Sequence, residues 1–306
     1  MVIATPVRTS LVPQQSGLTT VTARGTACNV SNSTGYAIMA IDQTCTSETT
    51  ALSSNGSLVV HGGGIASNSC SSTAGDSDGV VTLDPGYNTD VVGNVSGNWP
   101  SLQTGQAVKP DPFAGLAEPS TNGLPTYSPA CPPTINQPGV YTTTFSANCD
   151  YVSAPGTYIL RGGGLSLAGN SSMCTGTGCS PATAAGGTFF FFTNGSYPAT
   201  GGSCATLSLH GNNSTTLSAP TTGTYAGMLF WQDNACTGVM SIGGNGTINS
   251  TGTIYVPNGT LVGNGNNAAV NVSQIVAKRF DTQNGDFTMT YSTGVTYQGL
   301  IPALVE

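Results

Sequence analysis

Charge is the first thing this sequence lacks. Asp, Glu, Lys and Arg make up 6% of its 306 residues, against about 25% in an ordinary soluble domain. Six Lys and Arg cannot build the basic face that nucleic acid or an anionic membrane requires. Two His and no CxxC pair make a zinc site a poor reading. No window approaches the ~18 consecutive apolar residues of a membrane span. Met1–Pro6 is too short and too polar for a signal peptide. Gly (42 residues), Pro (18), Ser, Thr and Asn dominate instead, and their weak helix propensity excludes a helical bundle. Disorder combines low hydrophobicity with high net charge, whereas this chain is 38% apolar with a formal charge of −7. What remains is an all-β protein with many turns and a neutral surface of hydroxyls and amides.

Cysteine is plentiful: Cys28, Cys45, Cys70, Cys131, Cys149, Cys174, Cys179, Cys204 and Cys236. Most lie in Ser/Gly/Thr-rich stretches that read as loops, the pattern of an exported, disulfide-bonded protein. Sequence proximity suggests Cys28–Cys45, Cys131–Cys149, Cys174–Cys179 and Cys204–Cys236, leaving Cys70 either free or bridging two chains. Spacing alone does not determine connectivity. A disulfide-rich chain must leave the cytoplasm, so this sequence is expected to be the exported part of a longer product or to lack its leader. The expected location is extracellular or at the cell surface.

A repeat organises the chain. Alternating apolar residues followed by Gly-Asn recur at Leu165–Asn170, Leu207–Asn212, Met240–Asn245 and Leu261–Asn264, more loosely at Thr282–Gly285, and earlier at Val91–Asn94. A period near 20 residues built from short strands and tight turns predicts a parallel β-helix, a solenoid of two or three strands per coil. One side of each strand faces the interior and the other faces water. Gly and Asn accept the backbone conformations that corners need, and Asn at equivalent corners can form side-chain ladders. The same turn chemistry suits a sandwich or jelly roll, which is the alternative. Right-handedness follows from the usual crossover rule. Strands are expected at Ser57–His61, Phe189–Phe192, Gly227–Trp231, Thr253–Val256, Ser273–Ala277, Phe287–Tyr291 and Val295–Tyr297, and Leu18–Ala23 alternates like one. The organisation reads as an N-terminal extended segment over 1–26, a first solenoid part over 27–107, a surface excursion over 108–138 that holds eight of the 18 prolines, and a main solenoid with its tail over 139–306. The first segment and the apolar tail Leu300–Val305 are candidates for covering open solenoid edges.

The blocks Leu217–Asp233 and Asn249–Asn258, with Gly263-Asn264 and Ile275–Ala277, resemble the exported C-terminal region of bacterial TadE/TadG-like, Flp-pilus-associated proteins. Pro155–Asn170 and Asp111–Pro119 are similar to that family as well. The likeness spans about Cys28 to Glu306 and is densest over 155–280. Members usually begin with an apolar membrane helix and an Ala-rich pilin-like stretch, which this sequence does not contain. The resemblance implies a structural role in the envelope or outside the cell, and it carries over no catalytic residue.

Candidate chemistry centres on Asp76, Asp78, Asp84 and Asp90. Paired carboxylates cleave glycans, and Asn88-Thr-Asp90 matches a tripeptide of polygalacturonase-like enzymes, although no accompanying Gly-His-Gly or Arg-Ile-Lys is present. Asp76-x-Asp78-Gly79 also resembles the opening of a calcium loop, which makes Asp76 and Asp78 candidate metal ligands; solvated loop acids are the alternative. No other cofactor is implied. His61 and His210 read as corner residues, Trp231 as core, and Trp99 as either core or a sugar-stacking platform. Gly62–Gly64 and Gly162–Gly164 lack the Lys and helix of a phosphate loop. Twelve N-x-Ser/Thr sequons make glycosylation of exposed loops an open question. The resulting reading is a non-catalytic extracellular structural protein: a pilus-associated or filament-forming subunit or an adhesin, with self-association, other surface subunits or glycans as partners. The alternatives are a polysaccharide-active enzyme using the Asp76–Asp90 region and a carbohydrate-binding module.

Overall fold

A computed structural model describes residues 26–31, 35–46, 50–146, 148–265, 270–283, 286–294, 296–297 and 300–305. Residues 35–297 form one compact unit and residues 1–34 with 298–306 a second. In the second unit, Thr26–Ser31 and Leu300–Val305 pair antiparallel over six residues as a two-stranded ribbon. The anticipated strand Leu18–Ala23 lies outside the described residues, as does Val295.

The larger unit is a parallel β-solenoid with three faces. A 17-stranded sheet supplies the first and second faces, and an eight-stranded sheet supplies the third. The two faces of the larger sheet are joined because Thr253–Gly265 and Gln274–Gln283 run through the corner between them. Pro257–Gly259 forms part of that corner without ending the strand.

Coil order in space differs from coil order in sequence. Along the first face the strands stack as Gly139–Tyr141, Gly156–Arg161, Thr188–Thr193, Met228–Gln232, Thr253–Gly265 and Gln274–Gln283. The next strand in the stack is Tyr36–Ala40, from the start of the unit, followed by Gly64–Ser67, Thr89–Val91 and Leu102–Gln103. The same splice occurs on the third face, where Asp286–Thr290 pairs with Ser57–His61. The parts before and after the proline-rich segment are therefore one continuous ladder, with the last coil seated on the first.

Alternation builds the interior. Tyr158, Phe190, Phe230, Ile254, Ile275, Ile38 and Ile65 occupy one column across seven coils, and each is at most 1% exposed. Tyr158 stacks on Phe190 at 5.0 Å between ring centroids. Trp99 belongs to the same core, and its indole donates to Ser96 O at 3.0 Å. Trp99 is thus core and not a sugar platform.

The Gly-Asn repeats at Gly169, Gly211 and Gly244 turn the corner from the second face to the third. Gly169 and Gly244 have φ of +61° and +107°, a region costly for residues with a Cβ. One rung of the expected Asn side-chain ladder forms, Asn245 Nδ2 donating to Asn212 Oδ1 at 3.1 Å, while Asn170 meets the neighbouring coil through its backbone N–H, which donates to Asn148 Oδ1 at 3.0 Å. Two copies behave differently. Asn264 pairs opposite Gly243 inside a strand, and Val91–Asn94 turns the corner from the first face to the second.

Four disulfides pin corner loops of the larger unit. Cys131–Cys149, Cys174–Cys179 and Cys204–Cys236 form as expected. Cys28–Cys45 does not form: Cys45 pairs with Cys70, their Cα atoms 4.6 Å apart. Each of these follows one of two adjacent ladder strands, Tyr36–Ala40 and Gly64–Ser67, so stacking juxtaposes residues that sequence proximity does not. Cys70 is not the odd cysteine, and the Cys28 side chain lies outside the described residues. Four disulfides place the chain in an oxidising compartment. Non-reducing peptide mapping is expected to recover the Cys45–Cys70 link. Phe230→Ala, which empties the middle of the aromatic column, should cost about 3–5 kcal/mol in denaturant unfolding.

Candidate functional site

The three faces meet their surroundings differently. Strands of the first face are apolar on both sides, as in Phe189–Phe192 and Met228–Trp231. Their outer column runs Val140, Ile159, Phe191, Trp231, Tyr255, Val276, Met39 and Ala66, and all eight are buried. A strap of residues 109–119, inside the proline-rich excursion, helps to cover them. Phe113 packs edge-on against Tyr255 at 5.0 Å and Tyr297 at 5.2 Å. Lys109 and Asn68 exchange two backbone-to-amide hydrogen bonds of 2.7 and 2.8 Å. Tyr255 donates to Asp111 at 2.7 Å, Tyr225 to Ala117 O at 2.9 Å and Tyr197 to Pro119 O at 2.7 Å. Prolines suit this segment because it crosses the strands in irregular backbone, with turns over 112–115, and needs no ladder of its own.

The strap brings acids onto the solenoid. Burial, then the charge of Asp233, raises the Glu118 carboxyl above the ordinary glutamate range, more than the Asn234 N–H lowers it. Burial likewise raises Asp111, despite hydrogen bonds from Phe113 N–H and Tyr255. Tyr197 is pushed up to about 12 by burial and by the nearby Glu118 and Asp233 charges.

The third face is the open one. Its outward column is Thr216, Asn249, Asn271, Thr288, Val59 and Thr82, one residue from each of six successive coils. Every one is exposed or half-exposed, while the residues beside them in the strands, such as Leu217, Ser250 and Met289, are buried. At ~4.8 Å per coil the column is about 24 Å long. Ser218, Thr251, Thr290 and His61 flank it on one side. Asn271 Nδ2 donates to Asn249 Oδ1 at 3.2 Å, fixing two amides of the array. No residue of the column is charged, and the short β-branched side chains have little rotamer freedom to lose on contact.

The four aspartates do not converge. Asp76 lies on the second face and accepts a hydrogen bond from Ser96. Asp78 is exposed in the corner that follows. Asp84 follows the third-face strand Val80–Leu83, where His61 Nδ1 lies 2.9 Å away and Gly62 N–H donates to it at 3.0 Å. Hydrogen bonding from His61, then from Gly62, lowers its carboxyl. Asp90 is on the first face, 3.1 Å from Lys109 Nζ. No two of the four carboxylates lie on the same face or corner. Among the described residues no three His, Cys, Asp or Glu side chains group to hold a metal ion, so Asp76 and Asp78 have no third protein ligand of those types there.

One contact escaped the sequence reading. His210 Nε2 lies 2.8 Å from Ser241 Oγ across adjacent second-face strands, and burial lowers the imidazole. Among the described residues no acid orients the other ring nitrogen, which separates this pair from a nucleophile-base-acid arrangement. Trp231, expected in the core, is fully buried but on the outer side of the first face, beneath aromatic side chains.

No family model and no curated protein matches the chain. Among solved structures it is similar to the DUF3494 domain of Shewanella frigidimarina ice-binding protein 1, at 15% identity and a TM-score of 0.24 over 84% of this chain and 95% of that one. At that distance the assignment of the fold rests on the strand ladder itself.

The Glu118 environment sets a direction for pH. Its folded pKa is raised, so stability falls as pH rises from the unfolded glutamate value of about 4.3 through the folded value. Glu118→Gln removes this ionisation. The variant should melt higher than the parent at pH 7 and show a flatter pH dependence above pH 4 in thermal scans.

Proposed function

We propose that this chain is a non-catalytic, exported adhesion protein: a rigid, disulfide-pinned rod, carried on a pilus or comparable surface structure, that contacts a repeating solid surface through its third face. The observation that carries the reading is the uncharged column Thr216–Asn249–Asn271–Thr288–Val59–Thr82 at one residue per coil. A ladder of parallel strands is stiff and evenly spaced, so its hydroxyls, amides and methyls repeat at a fixed interval. Each contact is weak, but many engage together without an ordering cost, which favours a repeating surface over a single small molecule. The scarcity of charge leaves few ions to desolvate on contact. The TadE/TadG resemblance supports the pilus placement, and the dispersal of the four aspartates supports a non-catalytic role.

Self-assembly into a filament by continuing the ladder would require both ends to accept a strand. At one end the edge strand Thr126–Tyr127 sits between Pro125 and Pro129, and prolines withhold backbone donors and protect edges. The reading is therefore adhesion, and the purified chain is expected to appear as separate particles in electron micrographs.

Co-sedimentation with crystalline cellulose, crystalline chitin and ice tests the surface. Retention on at least one of these solids is expected, with retention lost at least tenfold in Thr288→Trp, which raises a bulky ring in mid-column without touching the core. Equal retention of the variant, or none of the parent on any solid, would remove the third face from consideration.

A further inference from the structure

A second feature lies at the corner between the first and second faces. There the residues leaving the first-face strands of five successive coils, Asn234, Asn258, Lys278, Gln43 and Asn68, form one wall of a groove. Asp111 and Ala114 of the strap form the opposite side. The groove encloses about 440 Å³, within the usual range for ligand sites. Four coil steps make it about 19 Å long. That is the shape of a slot for an extended chain.

Its chemistry is polar and balanced. Asp42 is held from outside the lining by Arg279 at 2.7 Å, and Asp111 and Lys278 are the other charged residues of the lining. Asn68 is engaged by the Lys109 backbone, and Asp111 accepts from Tyr255 and Phe113. Asn258 Nδ2 donates to Asn234 O at 2.7 Å, which leaves Asn258 Oδ1 available. The Gln43 and Asn234 side-chain amides and the Lys278 ammonium have no partner among the described residues. Ile41 and Pro257 add an apolar wall. Side-chain amides both donate and accept, which suits hydroxyl groups that do the same, and apolar walls suit the C–H faces of sugar rings. An extended peptide would seek unpaired backbone, and here the backbone of successive coils is already paired along the ladder, as in Asp42 N–H to Lys278 O at 3.0 Å.

We infer that this groove binds a neutral, extended oligosaccharide, held by the amides of Gln43, Asn234 and Asn258 against Ile41 and Pro257. The site goes beyond the surface-binding reading and shares no residue with the third face, so either can fail alone. Titration calorimetry on the full chain tests it, with cellotetraose, chitotetraose and maltotetraose as probes and tetragalacturonate and tetra-alanine as controls. Saturable one-to-one binding of at least one neutral tetrasaccharide is expected. Affinity should fall at least tenfold in Gln43→Ala combined with Asn258→Ala, and in Ala114→Trp, which fills the slot from the exposed strap. Melting temperatures should stay within the parent's error, and Thr288→Trp should leave binding unchanged. Absence of binding by all three neutral probes, tighter binding of tetragalacturonate or tetra-alanine, or indifference to both groove variants would overturn the assignment.

Discussion

The first face of the solenoid buries side chains on both of its sides, and the outer burial is the constraint from which the rest of the structure follows. An ordinary outer sheet face ends in water. This one presents Ile159, Phe191, Trp231, Tyr255, Val276 and Met39 in a row, apolar surface that would cost roughly 25 cal/mol for each Å² left exposed. The strap removes part of it from water. Its tyrosine partners, Tyr197, Tyr225 and Tyr255, each pack an apolar ring while turning a hydroxyl to a strap acceptor. Burial and hydrogen bonding are thereby satisfied by the same side chains.

Seating the last coil on the first makes such a strap geometrically necessary. The chain starts in the middle of the stack, builds to the Leu102 end, and must then cross the occupied coils before it can build from the other end back to the middle. Residues 104–125 make that crossing. A segment that has to travel the length of the rod can do so at small extra cost if it also covers an apolar surface on the way. The corner groove is a consequence of the same arrangement, because its strap side and its coil side come from segments joined only by this return path.

The polar third face contrasts with the first. It needs no cover, since most of its outward residues carry hydroxyls and amides that water already accommodates, with Val59 and Val80 as the apolar exceptions. It also carries little charge. Acids elsewhere are handled locally: Asp42 by Arg279, Asp84 by His61 and Asp90 by Lys109. The rod therefore presents one long column of uncharged residues on this face, with Asp286 exposed beside it, and keeps most of its ionic contacts at corners and along the strap. That division suits contact with an extended solid better than chemistry on a bound molecule.

Much of this was legible before any tertiary structure. Alternation in Leu165–Leu167 and Leu207–Leu209, followed by Gly-Asn, specifies short strands and sharp corners through local backbone preference alone, and it is enough to predict a parallel solenoid with an Asn ladder. The scarcity of charge reads against a nucleic-acid partner, and abundant loop cysteines indicate export. Three features depend on residues far apart in sequence and so are not legible there. The Cys45–Cys70 bond follows from strand stacking, which brings together corners that 25 residues separate. The continuous apolar character of Phe189–Phe192 announces a buried strand, but not that its outer side is sheltered beside a proline-rich strap. The four aspartates look like a cluster within fifteen residues, yet each coil sends successive strands to different faces, so proximity along the chain becomes separation in space. Sequence by itself determined the repeating unit, because corners and alternation are local; only tertiary structure decided coil order, the strap and the two candidate surfaces, because these arise from pairing between coils.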